Sequence, residues 1–181
     1  MALTPTLWRT CRVLAGPTRL DLLRRILAGP DARVADLAAA AGLSESRASQ
    51  ELRRLQARGL VQAVRNGRYV TYRPVPDPKV ASAKPLLAAA KAALATRPPE
   101  ETIRVATAYG HDRRLKIVRV LRKRACPFAA LSALAGMPEM ALFRHLQRLQ
   151  AGGVVRKTKR GWELAPNAHP LARALSALLA D

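Results

Sequence analysis

Residues 41–61 read AGLSESRASQELRRLQARGLV, and residues 135–155 read AGMPEMALFRHLQRLQAGGVV. In the first stretch Gly42 and Ser44 precede an apolar pattern, Ala48, Leu52 and Leu55, spaced four and three apart, and Gly59 ends it. That spacing predicts one buried stripe of a short helix. Ser44 is placed to accept a backbone N–H as N-cap, and Gly42 to take the positive φ that closes a preceding helix. Helix, tight glycine turn and capped second helix make a helix-turn-helix unit.

The second stretch extends into a repeat of the whole unit. At a shift of 94, Leu37, Gly42, Leu52, Arg54, Leu55, Gln56, Gly59 and Gly67 meet Leu131, Gly136, Leu146, Arg148, Leu149, Gln150, Gly153 and Gly161. At a shift of 95, RLDLLRRI (19–26) lies over RLKIVRVL (114–121). The two prolines of TRPPEE (96–101) interrupt the helical pattern between the copies. Domains are therefore expected over 1–97 and 98–181.

In the first copy, Leu7, Trp8, Cys11 and Leu14 predict a helix over 4–14, and Gly16-Pro17 breaks it. Leu20, Leu23 and Leu27 predict a second helix over 18–28, and an alanine-rich third spans 34–41. After the fourth helix, LVQAVRNGRYVTYRPV alternates with period two around Asn66-Gly67, the favoured type I′ hairpin dipeptide. A hairpin directly after a helix-turn-helix is the wing of a winged helix. VVRKTKRGWELAP supplies the second wing, and each copy closes with a further helix. The expected fold class is mostly α with small β wings: two tandem winged helix-turn-helix domains.

The strings PTRLDLLRRIL and VADLAAAAGLSESRASQELRRLQARGLVQAVRNGRYVTYRP resemble the ArsR-type winged-helix transcriptional regulators. The resemblance covers nearly all of the first copy, and the second more loosely through RRLKIVRVL and FRHLQRLQAGGVVRKTKRG. Family members dimerise through their first and last helices, so the resemblance implies an intramolecular pseudo-dimer, with further homodimerisation open. Metal-sensing members use Cys pairs in the third helix or His/Asp sites on the last. Here RVADLAAAAG has no Cys, and the last helices offer only His169 and Asp181, so no metal or cofactor is expected.

The chain carries 32 Lys and Arg against 12 Asp and Glu in 181 residues, a net charge of +20. Residues 1–96 hold 16 basic and 6 acidic side chains, and so do residues 97–181. Self-repulsion of this size favours a polyanionic partner. Double-stranded DNA is the expected partner rather than a membrane, because no basic amphipathic helix carries a large exposed aromatic face. No segment approaches the ~20 apolar residues of a membrane span, and the N-terminus lacks a signal-peptide core. A cytoplasmic, nucleoid-associated location is expected.

With Ala48, Leu52 and Leu55 inward, the fourth helix turns Ser46, Arg47, Ser49, Gln50 and Arg53 outward. Arg pairs bidentately with guanine and Gln with adenine, so this face suits the major groove; the alternative is a solvated helix face. The matching positions of the second copy are Met140, Ala141, Phe143, Arg144 and Gln147, with His145 beside them. That face either reads a different sequence or serves packing. Wing cations Arg65, Arg68, Lys157, Lys159 and Arg160 are expected on phosphates, which position without reading sequence. The three His residues are read as scattered, no catalytic constellation is present, and an enzyme is not expected. Cys11 is expected in the core; Cys126, near Arg122, Lys123 and Arg124, is a candidate reactive thiol. The expected function is a sequence-specific regulator, acting as a repressor; the alternative is an architectural protein of low specificity.

Overall fold

The computed structural model describes residues 6–29 and 31–180. The apolar repeat of the first helix appears as α1 (Leu7–Leu14), with Cys11 and Leu14 fully buried; its predicted start at residue 4 lies outside the described residues. Gly16 and Pro17 separate it from α2 (Pro17–Ala28), where Pro17 occupies the first turn and leaves no hydrogen bond unmade. Leu20, Leu22, Leu23 and Ile26 line its buried side, and Leu27, expected on that stripe, is only half-buried because the stripe is centred on Leu22–Ile26. Then come β1 (Ala32–Arg33), α3 (Val34–Ala40) and α4 (Glu45–Gln56). Gly42 has the expected positive φ, 64°, and the Ser44 hydroxyl accepts the Arg47 N–H at 3.3 Å.

β2 (Gln62–Asn66) and β3 (Tyr69–Arg73) form the first hairpin, and β1 adds to β3, giving the antiparallel order β1-β3-β2. Its turn differs from the expected one. Asn66 pairs with Tyr69, so the loop is Gly67-Arg68, and only Gly67 has positive φ. A type I′ turn centred on Asn66-Gly67 would set Arg65 directly opposite Arg68. The observed register instead places Arg65 against Val70 and avoids that like-charge pair.

α5 (Ala83–Thr96) and α6 (Pro99–Tyr109) are separated by Arg97 and Pro98 alone. α7 (Asp112–Lys123), α8 (Phe128–Ala135) and α9 (Glu139–Ala151) follow, then the hairpin of β4 (Val155–Thr158) and β5 (Gly161–Leu164), and α10 (Pro170–Leu178). Where the first sheet has β1, the second has a single antiparallel bridge: Cys126 and Trp162 exchange N–H···O bonds of 2.9 and 2.8 Å.

The two halves share one apolar core. α1 packs on α6, and α5 packs on α10. Tyr109 is buried at the end of α6, with its hydroxyl 3.3 Å from Ser176 on α10. One cluster of buried side chains runs from Cys11 to Leu179. Among the described residues no helix is long and apolar enough to cross a membrane.

Candidate nucleic-acid interface

The periodicity of α4 sets which side chains are free. Ala48, Leu52 and Leu55 are fully buried, and Ser46, Arg47, Gln50 and Arg53 on the other side are exposed; Ser49 is half-buried. The wing residues Arg65 and Arg68 are exposed as well. At the wing tip, the guanidinium groups of Arg33 and Arg68 lie 4.3 and 4.9 Å from the centre of the Tyr69 ring. The aromatic face therefore orders two cations.

Nothing in its local spacing marks Glu51, yet it organises the charges around α4. It is only 2% exposed, and its carboxylate meets Arg19 at 2.8 Å, Arg54 at 2.9 Å and Arg47 at 3.3 Å. Burial alone would raise its pKa. The hydrogen bonds and charges of Arg19 and Arg54 outweigh that and hold it below the ordinary glutamate value. Arg19 also donates from Nε to the Val13 carbonyl at 2.8 Å and from Nη2 to the Arg12 carbonyl at 3.2 Å. One guanidinium thus closes the end of α1 and anchors α4. Through Glu51 the same anchor reaches Arg47 on the outer face, so Arg47 is restrained rather than free.

In the second half, Leu142, Leu146 and Leu149 are the buried stripe of α9. Met140 is 68% and Phe143 47% exposed, and Arg144 and Gln147 are exposed beside them. Leu134 on α8 is 53% exposed too, so this face is considerably more apolar than that of α4. Lys157, Lys159 and Arg160 are exposed on the β4–β5 hairpin, while Arg156 is paired with Glu163 at 2.7 Å.

Several isolated residues take other roles. The Cys11 thiol is pushed up to about 12 by burial, which keeps it protonated. Cys126, the candidate reactive thiol, is 1% exposed and bridged through its backbone to Trp162, so access to its sulfur is closed. His169 is buried at the start of α10. Its Nδ1 accepts the Leu171 N–H at 3.2 Å, and its Nε2 lies 3.3 Å from the Thr102 hydroxyl. The three histidines are not all scattered: the rings of His111 and His145 are 4.8 Å apart, centre to centre. Among the described residues no three His, Cys, Asp or Glu side chains group to hold a metal ion.

No curated protein matches the chain. Residues 16–68, running from the start of α2 to the tip of the first wing, match the MarR family model, which makes this span a winged-helix segment of a kind found in DNA-binding transcriptional regulators.

Proposed function

We propose that the chain is a sequence-specific regulator that binds double-stranded DNA and represses by occluding it. In this reading residues 1–97 and 98–181 are two winged-helix domains of a tandem duplication, joined as a pseudo-dimer in the cytoplasm or nucleoid. The observation that carries it is the two-sided character of α4. Its apolar stripe is sealed into the core, and Arg47, Gln50 and Arg53 stand exposed beside an exposed cationic wing. The packing of α1 on α6 and of α5 on α10 supports the pseudo-dimer, since ArsR-type proteins, which the sequence resembles, pair through those helices. Unequal faces on α4 and α9 favour an asymmetric binding site over a palindrome.

Selection of genomic fragments on the full chain, at two salt concentrations, tests this. A regulator prefers its own site over random duplex by about 10³-fold or more. Replacing Arg47 and Gln50 by Ala is expected to collapse that preference while leaving non-specific binding. The apolar face of α9 favours a second reading, an architectural protein of low specificity. For that protein the same double variant weakens binding to every duplex alike, and the wild type shows no preferred fragment.

A further inference from the structure

The same arginine staple occurs in both halves, but in the second its carboxylate is missing. Arg114 donates from Nε to the Ala108 carbonyl at 2.6 Å and from Nη2 to the Thr107 carbonyl at 2.8 Å. Those are the bonds Arg19 makes to Val13 and Arg12, displaced by 95 residues. In the first half the remaining Nη1 is satisfied by Glu51. In the second, the position equivalent to Glu51 is His145. Arg54, the second partner of Glu51, has its equivalent in Arg148, and the third, Arg47, is replaced by Ala141.

The second half therefore keeps two of the three guanidinium groups and loses the anion between them. Among the described residues neither Arg114 nor Arg148 forms a salt bridge. His111, whose ring lies against His145, brings a second imidazole to the junction of α7 and α9. The acid at hand is Asp112. It is exposed and turned to His111, 2.7 Å from Nδ1, and takes neither guanidinium. Burial, then His111, Arg114 and Arg113, lower the pKa of His145; burial, then Arg148, lowers that of Arg114. Both directions are those of a partly buried group among positive charges, which Asp112 offsets only in part at His145.

We propose that the α7–α9 junction, formed by Arg114, Arg148, His145 and His111, binds a phosphate group in the place that Glu51 fills in the first half. The guanidinium groups offer charge-assisted donors to a tetrahedral oxyanion, and the neighbouring imidazoles add neutral N–H donors. The phosphate is either that of a free solute or one in a nucleic-acid backbone, and the chemistry of recognition is the same.

The test is a titration of the full-length protein with inorganic phosphate, followed through the histidine ring resonances. His145 and His111 are expected to shift saturably. His145→Glu rebuilds the internal ion pair of the first half and is expected to abolish binding. Arg148→Ala, on an exposed side chain that forms no salt bridge among the described residues, is expected to weaken it about tenfold. Should free phosphate leave the rings unmoved, duplex DNA provides the second arm. There the His145 resonance shifts on binding, and His145→Glu lowers the salt slope by about one phosphate contact. Silence in both arms, or shifts that survive His145→Glu and Arg148→Ala, overturns the proposal. The free-phosphate arm does not depend on DNA binding, so its result stands apart from that of the regulator reading.

Discussion

α4 and α9 are built on one plan and finished differently. Each buries a stripe of three apolar side chains to completion, Ala48, Leu52 and Leu55 in α4 and Leu142, Leu146 and Leu149 in α9. Their outer faces diverge. α4 is polar, and one buried carboxylate ties it to α2 and the end of α1. α9 carries exposed Met140 and Phe143, and an imidazole stands where the carboxylate would be. The lesson is that burial periodicity fixes the fold of both helices and leaves the charge pattern around them free to change.

The largest expected effect breaks the carboxylate side of that comparison. Glu51→Gln leaves Arg19 without its anion and should cost about 1–3 kcal/mol in denaturant unfolding. Arg47 and Arg54 are more than half exposed, so screening makes their share small and the Arg19 pair dominates. The pH dependence has a definite sign. Glu51 titrates below its ordinary 4.5 in the folded chain, so its contribution is full above that value and is lost as pH falls through the folded pKa. His145 is held below 6.5 in the folded chain, so below 6.5 the unfolded state takes up more protons and stability falls. His169 is lowered in the same way and acts in the same window. Glu51→Gln should therefore flatten the stability profile below pH 4.5 only, and His145→Gln should flatten it between 6.5 and the folded value. A single acid transition indifferent to both variants would show that the two junctions do not differ in charge.

Next in size are the wings. Gly67 and Gly161 occupy equivalent positions and both have positive φ, but their surroundings differ. A Cβ at Gly67 meets nothing within 4 Å, whereas one at Gly161 would lie 2.3 Å from the Cys126 carbonyl oxygen. Gly67→Ala should cost only the left-handed penalty, roughly 1–2 kcal/mol. Gly161→Ala carries that penalty and must also part β5 from the Cys126 bridge, so it should cost measurably more in the same assay. Equal losses would mean that the second hairpin is as free of the α7–α8 connection as the first wing tip is of its neighbours.

Much of this molecule is legible in its sequence where one period decides the outcome. The stripes of α1, α2, α4 and α9 and the glycine closures at Gly42 and Gly136 follow from local spacing alone. β1 does not, because two residues carry no period and gain their identity only by pairing with Thr71 and Tyr72. The first wing's turn lies one residue past the preferred dipeptide, and the conflict this avoids, Arg65 against Arg68, exists only once the strands are paired. Glu51 and Arg19 are 32 residues apart, and nothing local marks either as a partner. The exposed candidates on α4 and α9 could be picked out by subtraction from the buried stripe. The proposed phosphate site could not, since it becomes visible only when two equivalent arginines are found making the same bonds with different neighbours.

The smallest expected effect lies at the helix starts, where Ser44 and Pro138 stand in equivalent places. The Ser44 hydroxyl accepts the Arg47 N–H, and Pro138 has no acceptor to offer. Ser44→Ala should therefore lower stability by about 0.5–1 kcal/mol, at the modest end for an N-cap because its bond is 3.3 Å long. Pro138→Ser adds a cap but releases a residue whose fixed φ restrains the unfolded chain, a loss of about 0.4–1 kcal/mol. The two contributions oppose each other, so the exchange should change stability by less than about 0.5 kcal/mol. If Pro138→Ser instead stabilises by a full cap's worth, the proline does not compensate for the missing hydroxyl, and α9 is weaker-built than α4 at its start as well as at its charge junction.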